Sequence, residues 1–192
     1  EFRRVLFRSI QTAESIAPSI LWLDEMEKGF SGLSSSGQTD GGTTARVFGT
    51  FLTWLQEKKT PVFVVATCNS VSQLPPELLR KGRFDEIFFV DLPSKAERKE
   101  IFKIHLEKRH RNIKNFNLDK LADSTIGFSG SEIEEIIVSA LYDAFDDGKE
   151  ITQNYIETAI SSMIPLSKTM EDNIKQTREW AKIRAKKASS IE

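Results

Sequence analysis

Short apolar runs that end in polar residues are the feature that most constrains how this chain can fold. The runs are Ser19–Leu23, Pro61–Thr67 and Glu86–Asp91. Apolar residues on both faces of a strand are typical of a parallel sheet that is covered by helices. Between the first two runs, residues 43–58 repeat apolar side chains at helical spacing. The order strand, helix, strand therefore predicts a doubly wound α/β layer.

Two carboxylates, Asp24 and Glu25, come directly after the first of these strands. In an open parallel sheet, the ligand crevice lies beyond the carboxyl ends of the strands. There Asp24 could hold Mg²⁺ through water, and Glu25 could polarise an attacking water. The alternative is a pair of solvated acids after an edge strand, because an acidic pair after an apolar run is common.

Polar and basic side chains follow the second run. Asn69 stands at its end, where an asparagine can orient a lytic water beside Glu25 or can simply form a turn. Arg80 and Arg83 lie three residues apart around a glycine, and their guanidinium groups are permanently charged. They could act as arginine fingers in the active site of a neighbouring subunit, or form an ordinary basic pair on the surface.

The second half of the chain predicts helices only. Ser94 and Ser129 each stand three residues before a glutamate, which is the capping-box pattern that begins a helix. With the periodic segments 118–124 and 152–163, they predict a subdomain of four helices. A polar helix at 168–187 is expected to follow. Its expected apolar contacts are Ile174, Trp180 and Ile183.

The composition narrows the possible functions. The 27 basic and 28 acidic residues give a net charge of -1, so no global field attracts nucleic acid. No apolar run reaches the roughly 20 residues of a membrane span. The single cysteine, Cys68, excludes an internal disulfide, and His105 and His110 have no partners at zinc-ligand spacing. We therefore expect neither a nucleic-acid partner nor a membrane span.

Four motifs, in this order and spacing, resemble those of the AAA ATPases, a family of the P-loop NTPase superfamily. LWLDE resembles the Walker B motif, and VVATCN resembles the sensor-one segment. LPPELLRKGRFDEIFFVDLP resembles the second region of homology, and GFSGSEIEE resembles the lid-helix signature. The resemblance covers roughly residues 10–165. Within the family, the stretch from Glu27 to Leu55 is most similar to AAA proteins encoded in cyanobacteria and algal plastids.

The resemblance implies a partial P-loop NTPase fold, in which a doubly wound parallel sheet without its first strands precedes a small all-α lid. Residues 10–93 would be the later part of the large α/β subdomain, and residues 94–164 would be the lid. Residues 165–192 would be a helical tail. Residues 1–9, which carry three arginines among bulky apolar side chains, are interpreted as a non-native leader.

The resemblance also assigns roles to single residues. Asp24 and Glu25 would be the Walker B pair, with Asp24 on Mg²⁺ through water, and Asn69 would be sensor one. Arg80 and Arg83 would be the arginine fingers, with Arg80 as the primary one.

In the lid, the resemblance places Ile101, His105, Gly130 and Ser131 beside the nucleotide. A histidine such as His105 is otherwise more often part of a helical core. The helix after Ser131 has no arginine at the sensor-two position.

One family element is not found in these residues. No Gly-x-x-x-x-Gly-Lys-Ser/Thr phosphate loop is present, and the glycine-rich segment 29–42 lacks the lysine that such a loop needs. We therefore interpret the chain as N-terminally truncated, and the segment 29–42 as a mobile loop on the working face. Little or no ATPase activity is expected of these residues alone, because the phosphates and Mg²⁺ lose their main cradle.

For the parent protein, the resemblance implies ATP hydrolysis coupled to protein remodelling or regulation by a homo-oligomer, most simply a hexameric ring. ATP and Mg²⁺ are the expected cofactors, the protein substrate is unknown, and the bacterial cytoplasm or the plastid stroma is the expected location. The alternative is a regulatory scaffold that switches with nucleotide occupancy and hydrolyses little. A membrane protease is less favoured, because the chain contains no His-Glu-x-x-His motif.

Overall fold

The computed structural model describes residues 2–30, 41–80 and 82–189, and the chain divides into two compact units, 1–87 and 88–192. The helices and strands of the first unit are α1 (Phe2–Ser15), β1 (Ser19–Leu23), α2 (Met26–Phe30), α3 (Gly41–Glu57) and β2 (Val62–Ala66). Two 3-10 turns follow, at Val71–Gln73 and Pro76–Leu79.

The strands β1 and β2 pair in parallel, as the sequence predicts. Ser19 lies opposite Val62 and Leu23 lies opposite Ala66, so both strands end at the same level. Their buried side chains pack with one face of α1 and with α3, in which Phe51 is completely buried. The predicted helix at 43–58 is therefore confirmed as α3.

The other face of β1 and β2 differs from the expectation. Ile20 is 70% exposed, Trp22 is 60% exposed and Phe63 is 67% exposed. Alternate residues of a strand point to opposite faces of the sheet, so all three lie on the face opposite the buried Leu21 and Val62. Among the described residues, helices cover the sheet on one face, whereas the sequence predicts cover on both.

Residues 1–9 and residues 29–42 are two segments of the first unit that the sequence does not assign to a strand or helix of the AAA fold. The segment 1–9, interpreted as a non-native leader, contributes to α1 from Phe2 onward, and Leu6 within it is 3% exposed in the core. Its non-native origin stays a prediction. Most of the glycine-rich segment 29–42, namely residues 31–40, lies outside the described residues.

The second unit contains most of the helices. They are α4 (Lys95–Lys108), α5 (Leu118–Ser124), α6 (Gly130–Asp146), α7 (Gln153–Ser162), α8 (Leu166–Thr169) and α9 (Glu171–Arg184), with a 3-10 turn at Ile113–Asn115. Its short strands are β3 (Phe88–Phe89) and β4 (Lys186–Lys187), which pair in parallel. None of the described helices is both long and apolar enough to cross a membrane.

Both predicted capping boxes are confirmed. The Ser94 hydroxyl accepts the Glu97 amide at 3.4 Å, and the Glu97 carboxylate accepts the Ser94 amide at 2.8 Å. Ser129 and Glu132 form the same pair at the start of α6. The helices that follow bury a continuous apolar stripe between α4, α6 and α7, in which Phe102 is completely buried. This is the helical lid that the sequence predicts.

Two predictions about the second unit are wrong. The strand expected at 86–91 is reduced to β3, because among the described residues its pairing partner is the equally short β4. The tail helix expected at 168–187 is interrupted at Met170, whose φ of -118° and ψ of 30° are not helical. Ile183 is 85% exposed, since it lies two residues, or about 200° around the helix, from the buried Ala181.

Candidate functional site

The chain turns sharply between β1 and α2. Glu25 has a φ of 49°, in the left-handed region that costs a non-glycine residue about 1–2 kcal/mol. The Glu25 amide donates to Thr67 Oγ1 at 3.0 Å, and the Met26 amide donates to the Thr67 carbonyl at 3.0 Å. The segment after β2 therefore holds the unfavourable turn that follows β1.

Thr67 connects the two strand ends through both its backbone and its side chain. Its amide donates to the Leu23 carbonyl at 2.9 Å, and its hydroxyl donates to Asp24 Oδ1 while accepting the Glu25 amide. The hydroxyl thus uses its one O–H donor on Asp24 and one acceptor position on the Glu25 amide, so it contacts both acidic residues. The sequence analysis did not single out Thr67, although a hydroxyl at the end of a buried strand was a visible signal.

The structure brings Asn69 and Glu25 together. Asn69 Nδ2 donates to Glu25 Oε1 at 3.2 Å, from the end of one strand to the end of the other. The second oxygen, Glu25 Oε2, accepts from Lys28 Nζ at 2.7 Å, and this pairing raises the pKa of Lys28 above its ordinary value. Both oxygens of Glu25 are therefore engaged in this structure.

Glu27, two residues after Glu25, is buried and only 4% exposed. Its Oε1 accepts the Asn69 amide at 3.1 Å. Its Oε2 is buried and has no hydrogen-bond partner among the described residues. Burial, and then the neighbouring Glu27, raise the pKa of the Cys68 thiol to about 12, so this thiol is neutral at physiological pH.

The two arginines proposed as fingers differ in exposure. Arg80 is exposed at the end of the 3-10 turn Pro76–Leu79, which the buried Leu78 anchors. Arg83 follows Gly82, whose φ of 90° suits glycine, and it is half-buried. Its Nε is buried and has no hydrogen-bond partner in the part of the chain that the structure describes. Within the described part of the chain, neither guanidinium group forms an ion pair or contacts the acids after β1.

Within the second unit, His105 of α4 belongs to a charged cluster. His105 Nδ1 lies 3.2 Å from Glu134 Oε1 of α6, and Arg109 Nη2 donates to the same oxygen at 2.8 Å. The hydrogen bond from Arg109 is the main cause that lowers the pKa of Glu134 below its ordinary value. His105 is thus held by its neighbours rather than pointing freely into solvent, and its side chain is 19% exposed.

The remaining predicted lid residues lie where α4 approaches the start of α6. A Cβ atom at Gly130 would stand 3.6 Å from Ile101 Cδ1, an ordinary contact, so these two positions are adjacent. Ser131 is exposed, and its hydroxyl lies 3.1 Å from that of Ser129 at the helix N-terminus. The structure thus places Ile101 beside Gly130, with Ser131 at the next position of α6.

The donors after β1 and β2 fit a hard cation in their chemistry. Asp24 and Glu25 supply carboxylate oxygens and Asn69 supplies an amide oxygen, the ligand types that Mg²⁺ prefers. Mg²⁺ keeps several waters and takes only one or two carboxylates from a protein. Over residues 2–30, 41–80 and 82–189, no group of three or more His, Cys, Asp and Glu side chains could hold a metal ion.

Comparison with known sequences gives two family matches. The sequence model of the ATPase family associated with various cellular activities (AAA) matches residues 3–92. The model of the AAA+ lid domain matches residues 115–158. Together the two models account for well over half of the chain, and they follow each other in the order that the four motifs predict.

Individual relatives agree with these matches. The chain is 50% identical over 173 residues to the uncharacterized AAA domain-containing protein ycf46 of Guillardia theta, and equally to that of Pyropia yezoensis. These alignments cover 90% of this chain but 34% and 35% of the two relatives. The chain is also 33% identical over 187 residues to the proteasome-activating nucleotidase of Saccharolobus solfataricus. That alignment covers 93% of this chain and 46% of that protein. This chain belongs to the AAA ATPase family and comprises part of an AAA α/β domain with its helical lid.

Proposed function

We propose that the protein containing this chain hydrolyses ATP and uses the energy to remodel or regulate another protein. The observation that carries the proposal is the meeting of Asp24, Glu25 and Asn69 at the carboxyl ends of two parallel strands. A carboxylate pair and an amide at this edge form the polar end of a phosphoryl-transfer site. Membership of the AAA family supports ATP as the substrate.

Three side chains would carry the hydrolytic step. Glu25 would polarise the attacking water, and Asn69 would orient that water and contact the terminal phosphate. Asp24, held by Thr67, would take Mg²⁺ through its water shell. When bound, Mg²⁺ neutralises charge that develops on the phosphate oxygens.

The two arginines would act on a neighbouring subunit. Arg80, with Arg83 beside it, would stabilise charge on the phosphate bound to the next copy of the chain, a contribution of about 10³–10⁵-fold in rate. This requires a homo-oligomer, which we propose is a hexameric ring. The exposure of Arg80 and the lack of an ion-pair partner for either arginine within the described residues support this role.

In the lid, we propose that Ile101, His105, Gly130 and Ser131 contact the adenosine part of the nucleotide. The adjacency of Ile101 and Gly130 supports one shared surface for them. We also propose residues 10–93, 94–164 and 165–192 as the functional divisions of the chain. The bacterial cytoplasm or plastid stroma is the proposed location, and neither nucleic acid nor a membrane span is part of the proposal.

A second function is favoured by one specific observation. The Glu25 carboxylate accepts from Lys28 Nζ with one oxygen and from Asn69 Nδ2 with the other, so both of its oxygens are engaged by side chains of the same chain. A module that kept this arrangement with nucleotide bound would act as a nucleotide-dependent scaffold and hydrolyse little. The turnover rate of the wild-type protein separates the two functions.

The test uses the full-length protein and two substitutions. Glu25→Gln should keep ATP binding and stop turnover, because the amide cannot act as a base. Arg80→Ala should also stop turnover while ATP binding is kept, and wild-type activity per subunit should rise with protein concentration as subunits assemble. Wild-type rates in both variants would refute the assignment.

For the 192 residues alone, we propose little or no turnover, because they contain no Gly-x-x-x-x-Gly-Lys-Ser/Thr phosphate loop. Isothermal titration calorimetry of this chain with Mg-ATP tests the point. Weak or undetectable binding is expected, and tight binding would contradict it.

A further inference from the structure

We propose that Glu27 is a positioning residue for hydrolysis, which holds the backbone of Asn69 so that the Asn69 side chain reaches Glu25. The proposal rests on the proposed function, because it names a residue that supports the same site. Glu27 would not touch the nucleotide or the attacking water. It would act only through Asn69.

The burial of Glu27 is the first observation. The residue is 4% exposed, whereas Asp24 and Asn69 are exposed. A buried carboxyl group is costly unless hydrogen bonds compensate it. Glu27 Oε1 has one such bond, from the Asn69 amide, while Oε2 has none among the described residues. Glu27 therefore lies against the segment after β2, where it accepts the Asn69 amide and neighbours the Cys68 thiol, and this placement indicates a role beyond filling the core.

The turn at Glu25 explains why Glu27 points inward. The left-handed φ of Glu25 reverses the chain after β1, and α2 then begins at Met26. Met26 and Glu27 are both buried, while Glu25 and Lys28 remain at the surface. Residues 25–27 thus supply one carboxylate at the surface, that of Glu25, and one in the interior, that of Glu27.

Two hydrogen bonds then connect the buried acid to the surface acid. Glu27 Oε1 accepts the backbone amide of Asn69 at 3.1 Å, and Asn69 Nδ2 donates to Glu25 Oε1 at 3.2 Å. Because the Asn69 side chain is exposed, its position depends on where its backbone is held. Loss of the hydrogen bond between the Asn69 backbone amide and Glu27 would let the Asn69 backbone move. The side-chain amide of Asn69 would then be misplaced relative to Glu25.

The experiment compares three substitutions of Glu27 in the full-length protein. Glu27→Leu removes the acceptor, Glu27→Asp withdraws it by one methylene, and Glu27→Gln keeps an oxygen that can accept the Asn69 amide. Glu57→Leu, at the exposed end of α3, is the matched control. Three quantities are measured for each protein: kcat, the Kd for ATP, and hydrogen exchange of the Asn69 amide.

The expected result separates positioning from folding. Glu27→Leu and Glu27→Asp should lower kcat about tenfold or more, with the Kd for ATP changed by less than about threefold. Exchange of the Asn69 amide should accelerate about tenfold in both. Glu27→Gln should retain a larger share of kcat than either, and Glu57→Leu should match the wild type.

A second background tests whether Glu27 acts through Asn69. In an Asn69→Ala protein, adding Glu27→Asp should change kcat by less than about twofold, because the group that it positions is already gone. An equal loss in both backgrounds would overturn the proposal. So would a Glu27→Gln variant as impaired as Glu27→Leu.

The exchange measurement keeps this proposal distinct from the proposed function. If the wild-type protein does not hydrolyse ATP, the hydrolytic assignment fails, and exchange at Asn69 still reports whether Glu27 holds that amide. Unchanged exchange in both Glu27→Leu and Glu27→Asp would overturn the positioning role even in an active enzyme.

Discussion

Replacing Thr67 by valine should destabilise the first unit by about 2 kcal/mol. The hydroxyl accepts the Glu25 amide at 3.0 Å and donates to Asp24 Oδ1. A neutral hydrogen bond contributes about 0.5–1.5 kcal/mol and one to a charged group about 1.5–3 kcal/mol. Because Thr67 is half-buried and Asp24 is exposed, the lower end of each range applies. Valine has nearly the same shape, so the loss would report the two bonds rather than packing.

A serine at position 67 is the control for this prediction, and a tryptophan of the first unit reports unfolding. Thr67→Ser keeps the hydroxyl and loses one methyl group, so its cost should stay below about 0.8 kcal/mol. Urea unfolding can be followed by the emission of Trp54, whose Nε1 donates to Glu14 Oε1 at 2.9 Å within the first unit. Trp22→Phe and Trp180→Phe leave Trp54 as the single reporter among the three tryptophans. Equal costs for valine and serine would refute the reasoning.

Two further predictions concern a thiol and a helix start. At pH 8, alkylation of Cys68 by iodoacetamide should be about 10²–10³-fold slower in the native chain than in urea, because a pKa of about 12 leaves little thiolate. The native rate should rise about tenfold per pH unit as pH increases toward that pKa, and a native rate equal to the unfolded one would contradict it. Ser129→Ala should lower the free energy of unfolding of the second unit by about 1 kcal/mol, since the Glu132 amide loses its acceptor at 3.3 Å. Urea unfolding followed by Trp180 emission measures this in a protein that carries Trp22→Phe and Trp54→Phe. Ser129→Thr is the control, because it keeps a hydroxyl that can accept the Glu132 amide and donate to the Glu132 carboxylate. An equal loss in both variants would contradict the capping role.

Local patterns predicted much of this fold. The capping boxes at Ser94 and Ser129 depend on residues three positions apart, and the structure contains both. The strand ends were equally predictable, because an apolar run followed by Asp24 or Asn69 defines where a buried strand leaves the core. Parallel pairing then brings such ends together, which is why Glu25 and Asn69 could be expected to meet.

Contacts between distant segments were not predictable in the same way. Thr67 and Glu27 each bond to a residue 42 positions away, and no local pattern marks which polar side chain turns inward. The inward course of Glu27 depends on a left-handed φ at Glu25, which a glutamate rarely adopts.

Which face of α9 is buried was likewise not predictable from local sequence. Arg178 donates from Nε to both oxygens of Asp91, at 2.9 and 3.0 Å, and this long-range contact helps to decide which face of α9 is inward. Helical spacing alone did not distinguish that face from the one that carries the exposed Ile183.

We propose that one subunit supplies Glu25 and its neighbour supplies Arg80 to each hydrolytic site. Mixing two full-length variants that are each expected to be inactive, Glu25→Gln and Arg80→Ala, tests this division of roles. In an equal, random mixture, about a quarter of the interfaces would pair an intact Glu25 with an intact Arg80. We expect turnover to recover to about a quarter of the wild-type rate after subunit exchange. No recovery on mixing, with each variant still binding ATP and assembling normally, would contradict it.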